Sequence, residues 1–99
     1  IVSTPIQSAY AYLRPYIPNT CMWIEKMADY YSIPVIDAYS ESGILAEFEK
    51  GWESNSYTGD GTEGKYLFDG LHPNSDGYQL LSDYFSRKIN KICRDSMGK

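Results

Sequence analysis

Apolar and polar positions alternate along this chain in blocks that predict strand, helix, strand, helix, loop, helix. Ile1-Val2-Ser3-Thr4-Pro5-Ile6 is a short apolar run broken by a proline, and it predicts a short buried strand. Residues 7–19 hold Tyr10, Tyr12, Pro15, Tyr16 and Pro18, and predict a loop with no more than one helical turn. Thr20 is placed to cap a helix in which Ile24, Met27, Ala28 and Tyr31 recur at helical spacing, and Glu25 lies early, where an anion suits the helix dipole. Ser32-Ile33-Pro34 ends it, because a residue before proline resists the α region. Pro34-Val35-Ile36-Asp37-Ala38-Tyr39 is nearly continuous in apolar character, as parallel strands buried on both faces are. Ser40 or Ser42 then predicts the cap of a short helix through Ile44, Leu45 and Phe48. Residues 51–65 are rich in Gly, Ser, Thr, Asn and Asp and predict a long polar loop, with Trp52 and Tyr57 placed to shape a rim. Tyr66-Leu67-Phe68 leads into a tight turn. Asn74 or Ser75 caps a last helix whose Leu81, Phe85, Ile89 and Ile92 share one face, with Leu80, Tyr84 and Lys88 beside it. Alternation of this kind argues an α/β fold with a parallel sheet covered by helices.

Composition narrows the function classes. A length of 99 residues allows one small domain at most, and 42% apolar residues exclude a disordered tail. The ten tyrosines fit two readings: rings that straddle core and surface, or a surface that contacts sugar or peptide. The net charge is -4, and the densest cations, Arg87, Lys88, Lys91 and Arg94, fall on late turns of the last predicted helix, where they complement its dipole. Nucleic acid is therefore not an expected partner. No run of eighteen apolar residues is present, so no membrane span is expected, and no signal peptide is visible in a chain that starts at Ile1. Cys21 and Cys93 are far apart and form no C-x-x-C, so they settle neither pairing nor compartment. With one histidine and two scattered cysteines, no metal and no cofactor is expected.

That single histidine stands in the most specific stretch of the chain, Asp69-Gly70-Leu71-His72-Pro73-Asn74, followed by Gly77-Tyr78 and the last helix. A general base near neutral pH is most often histidine, and a carboxylate on one ring nitrogen fixes its tautomer and stabilises the imidazolium. Asp69 is placed for that role, and Pro73 biases His72 towards extended backbone, from which it projects out of the loop. Asp37 is a second candidate acid, at the end of the second strand where open α/β sheets place ligands; its alternative role is to cap the following turn. Ser3 lies on the first strand, and its expected role is in the sheet rather than in chemistry. Gly59-Asp60-Gly61-Thr62-Glu63-Gly64-Lys65 matches the spacing of a phosphate loop, but Tyr66 stands where Ser or Thr must meet magnesium and no apolar strand precedes it. Asp60 and Glu63 lack the rest of a calcium-loop pattern.

The Asp69–Asn74 block with Gly77-Tyr78 resembles the last motif block of the SGNH, or GDSL, hydrolase family, in which the aspartate and histidine belong to a catalytic triad. Residues 1–5 and 32–37 resemble two strands that precede that block. The resemblance implies a three-layer α/β/α, flavodoxin-like domain with a parallel sheet, and ester or acyl hydrolysis without a metal. It implies that His72 is the base and Asp69 its orienting acid. The family's Gly-Asp-Ser nucleophile motif and its two oxyanion-hole blocks have no counterpart here. Residues 1–99 are accordingly expected to be the C-terminal portion of a single domain, inactive alone, whose nucleophile-bearing portion is absent from this chain. The expected partners are that portion as a second chain, or further copies of this one, and a small-molecule or carbohydrate ester as substrate. A different class of function is a non-catalytic binding or structural module on a truncated or degenerate hydrolase fold.

Overall fold

The computed structural model describes residues 1–50, 52 and 63–97. The described elements are β1 (Val2–Ser3), α1 (Ile17–Tyr30), β2 (Val35–Ile36), α2 (Ala38–Glu41), a 3-10 turn (Ala46–Phe48) and α3 (Ser75–Met97). β1 and β2 pair in parallel, Val2 opposite Val35 and Ser3 opposite Ile36, with α1 packed on β1 in the connection between them. The chain is thus a small mixed α/β domain with a two-stranded parallel sheet among the described residues.

The strands are shorter than the apolar runs. The ladder ends where Thr4 N–H donates to the Ile36 carbonyl (2.9 Å). Buried Thr4 then ties the strand ends together: its hydroxyl donates to Asp37 Oδ1 (3.4 Å) and accepts from Tyr39 N–H (3.0 Å). β2 is not buried on both faces as its composition predicts, for Ile36 is enclosed while Val35 is partly open beside Met22 and Ile33.

Capping also departs from expectation at two helices. α1 starts at Ile17, not after Thr20, because Pro18 is tolerated in the first turn, where its missing N–H costs nothing. Thr20 donates its hydroxyl back to the Tyr16 carbonyl (3.1 Å). The buried face of α1 is Cys21 and Ala28; Met27 and Tyr31, predicted to line it, are exposed. The end at Ser32 is as expected, with Ser32 at φ +55° closing the helix. α2 is capped by Asp37, whose Oδ1 accepts from Ser40 N–H (3.2 Å), not by Ser40 or Ser42. It stops after one turn because Gly43 takes the left-handed conformation at φ +92°, and Ile44 enters the core outside any helix.

Two buried groups make the core. Ile36, Ala38 and Tyr84 form one; Ile44, Leu67 and Leu81 form the other, and Ile6 and Phe85 touch both. α3 spans both groups. Its Tyr84 end packs on the sheet, where the Tyr84 hydroxyl donates to Glu41 Oε1 (3.1 Å) and Lys88 Nζ reaches Glu41 Oε2 (3.2 Å). Its Leu81 end packs on Leu67, the anchor of the turn that carries Asp69 and His72. Ile89, predicted for the same apolar face, is partly exposed. Cys21 is buried, Cys93 is exposed, and both are free thiols. No helix of the described residues is long and apolar enough to cross a membrane.

Candidate active site

The turn begins and ends on backbone bonds that set its register. Leu67 bridges Pro73 in antiparallel fashion, Phe68 N–H donates to the His72 carbonyl (2.9 Å), and Asn74 N–H donates to the Tyr66 carbonyl (2.8 Å). Along these two short legs side chains alternate, so Leu67 points into the core and is fully buried, while Phe68 and His72 point out. Asn74 closes the base of the turn. Its Oδ1 accepts from Gly77 N–H (2.8 Å), which caps α3, and its amide group donates to the Lys65 carbonyl (3.1 Å). Gly77 is required here: a Cβ would collide with the Tyr66 carbonyl. Buried Glu49 braces the entry, accepting from Tyr66 N–H through Oε1 (2.8 Å).

Between the legs, Asp69 folds the chain over its own carboxylate. Oδ1 accepts from Leu71 N–H (2.9 Å) and His72 N–H (2.7 Å), and Oδ2 accepts from His72 Nδ1 (2.6 Å). Partial burial opposes ionisation of this carboxyl. Hydrogen bonds from the His72 backbone, the His72 ring and the Leu71 backbone outweigh it, and Asp69 stays below the ordinary carboxylate range. An ionised carboxylate only accepts, so Nδ1 carries the proton, and in the neutral form of the ring Nε2 is then a lone-pair acceptor. Among the described residues no group hydrogen-bonds Nε2. The imidazole is 59% exposed and Asp69 only 20%, which is the polarity of a base offered to solvent and a carboxylate kept behind it.

The tip of the turn is docked on the loop after β1. Gly70, at φ +87°, gives its carbonyl to Ala9 N–H (2.7 Å) and to the Ser8 hydroxyl (3.2 Å). Ala9 is itself held by Arg14, whose Nε donates to the Ala9 carbonyl (2.9 Å) and whose guanidinium lies 3.9 Å from the Trp52 ring centre. Ser8 is buried with its proton committed to Gly70, so it is no nucleophile for His72.

Asp69 and His72 are thus brought together, while Asp37 caps α2 and bonds Thr4 in the sheet. Ser3 donates its hydroxyl to the Thr4 carbonyl (2.8 Å) and stays a sheet residue. Most of the 51–65 segment, including Tyr57, Asp60 and the glycines before Gly64, lies outside the described residues. Among the described residues no cluster of three metal-ligating side chains occurs. Phe68, Glu49 and the side-chain roles of Asn74 beyond capping were not legible as site features. The alternation Leu67-in, Phe68-out was the available signal for the first. No family model, curated protein or solved structure matches this chain.

Proposed function

We propose that this chain is the C-terminal portion of a serine esterase or acyl hydrolase of the SGNH type, supplying the base His72 and its orienting acid Asp69. The observation that carries the reading is the 2.6 Å contact between Nδ1 and a carboxylate locked by two backbone N–H groups, with Nε2 left open to solvent. The serine comes from the nucleophile-bearing portion of the domain. As its oxygen bonds to the ester carbonyl carbon, Nε2 takes the serine proton and the carbonyl π electrons move onto oxygen. When the tetrahedral species collapses, the C–O bond to the alcohol breaks and His72 returns the proton to that alcohol. Water then repeats both steps on the acyl-serine, releasing the acid and the free serine. Asp69 remains ionised and steadies the imidazolium formed in each half. Acetylated carbohydrate is the proposed substrate class, supported by exposed aromatic rings such as Tyr12 and Tyr16.

In this reading β1 and β2 belong to a larger parallel sheet in a three-layer, flavodoxin-like domain. Val2 and Thr4 turn their N–H groups towards β2, so the amide between them at Ser3 faces the other edge, and among the described residues no strand pairs there. Trp23, Met27 and Tyr30 on α1 are also exposed. The nucleophile-bearing portion, or a second copy of this chain, is the proposed cover. The alternative, a non-catalytic module, is favoured by one fact: no described hydroxyl meets Nε2.

His72→Ala in the intact protein separates these. The hydrolase reading expects kcat/KM on a simple acetyl ester to fall by about 10⁴. Melting should change little, since the ring is largely exposed and Asp69 keeps its two backbone donors. Unaltered turnover refutes it.

A further inference from the structure

The hydrogen bond to Asp69 decides which ring nitrogen of His72 carries the proton, but one bond to a largely exposed ring leaves it free to tilt about the Nδ1–Oδ2 line. Phe68 removes that freedom. Its ring lies against the imidazole, centroids 5.6 Å apart and planes within 22°. The contact follows from register. With Leu67 opposite Pro73, Phe68 stands directly opposite His72 on the same outward face, at the separation where cross-strand side chains pack. Phe68 is 48% exposed, so it adds little to the core that Leu67 enters. An aromatic residue left half in water is accounted for by what it covers, one face of the imidazole. The register that puts it there is set from both sides, by Glu49 on Tyr66 N–H and by Asn74 N–H on the Tyr66 carbonyl.

We propose that Phe68 is a positioning residue for His72. It closes one face of the ring, limits its tilt, and so keeps Nε2 at one fixed edge of the turn while Asp69 fixes the tautomer. The functional meaning of this rests on the reading of His72 as a base, whereas the stacking itself does not.

His72 is the only histidine in the chain, so its ring signals are unambiguous in a nuclear magnetic resonance spectrum of the whole chain. The expected native pattern is an upfield ring-current shift on the imidazole C–H protons, a cross-peak from them to the Phe68 ring, and a slowly exchanging Nδ1–H. Phe68→Leu should abolish the upfield shift and make Nδ1–H exchange with water several-fold faster, with backbone signals unchanged beyond the turn. Phe68→Tyr should restore both. A native spectrum without the Phe68–His72 cross-peak overturns the proposal, whether or not the variants fold. Native-like Nδ1–H exchange in Phe68→Leu overturns it as well. In the intact protein, Phe68→Leu should lower kcat with KM unchanged, and Phe68→Tyr should recover it. An intact protein with no esterase activity but with the native stack and the expected Phe68→Leu response would refute the hydrolase reading and leave the positioning role in place.

Discussion

The turn over residues 66–74 and the sheet of β1 and β2 are built on opposite principles. The turn is nine residues tied together by side-chain bonds to nearby backbone and by a docked tip. Asp69 takes three donors from its own neighbours, Asn74 binds both legs and caps α3, and Gly70 is docked on Ser8 and Ala9. The sheet is two strands of two residues, with no further strand at either edge among the described residues and with Val35, Trp23, Met27 and Tyr30 open to solvent. The Asp69–His72 pair is thus held by bonds within its own turn, whereas the sheet leaves apolar side chains around it exposed among the described residues.

The sharpest way to break this contrast is to cut the fully buried side chain that joins the turn to the core. Leu67→Ala removes a fully buried side chain packed on Ile44 and Leu81, and should cost about 2–5 kcal/mol in a denaturant melt. The same truncation on the sheet side, Trp23→Ala, should change the isolated chain by no more than about 0.5 kcal/mol, since that ring already faces water. If the sheet is covered in the intact protein, Trp23→Ala should cost more there than in the isolated chain; equal effects would remove the argument for a cover.

Asn74→Ala tests whether the turn is held from its base. Loss of the cap on Gly77 should cost about 1 kcal/mol, and the strap to Lys65 goes with it. Melting alone does not distinguish a cap from a strap, so exchange of the Phe68 N–H and Asn74 N–H should be read as well; both should become faster.

Acid addresses the turn through Asp69. Asp69 has a depressed pKa in the folded chain, so its contribution to stability is fully present above the ordinary carboxylate range. It is lost as pH falls through that lowered value. The Nδ1–H signal of His72 should therefore survive acidification past the point where exposed carboxylates protonate, then vanish. Loss within the ordinary carboxylate range would contradict the hydrogen-bonded turn.

The smallest effect concerns the thiols. Burial, with Asp37 and Glu25 nearby, pushes the Cys21 thiol up, while Cys93 is exposed. A thiol reagent at neutral pH should modify Cys93 quickly and Cys21 only as α1 opens. Equal rates would mean that α1 is not packed on the sheet.

What was legible in the sequence divides along the same line. The Asp69–Asn74 block could be read because its determinants are local: a carboxylate that reaches N–H groups two and three residues on, and a proline that extends His72. The order of elements was legible from apolar spacing for the same reason. Strand length was not, because the ladder gives way to side-chain bonds at Thr4 and Asp37, and tertiary cover decides which face of β2 is buried. Nor was the start of α1, where Pro15 and Pro18 read as loop although Pro18 suits a first turn. Met27 and Tyr31 had the spacing of a buried face, but small Cys21 and Ala28 are what meets the sheet side. Thr4 and Asp37 tie the strand ends through side-chain bonds between residues far apart in sequence, which no local pattern encodes.

The central claim is that Asp69 holds His72 with Nδ1 protonated and Nε2 open. The most direct test is a long-range proton–nitrogen spectrum of the single histidine, taken where the ring is neutral, in the native chain and in Asp69→Asn. The account predicts the Nδ1–H tautomer in the native chain and loss of that preference in the variant. An Nε2–H tautomer in the native chain, or a spectrum that Asp69→Asn leaves unchanged, would contradict it.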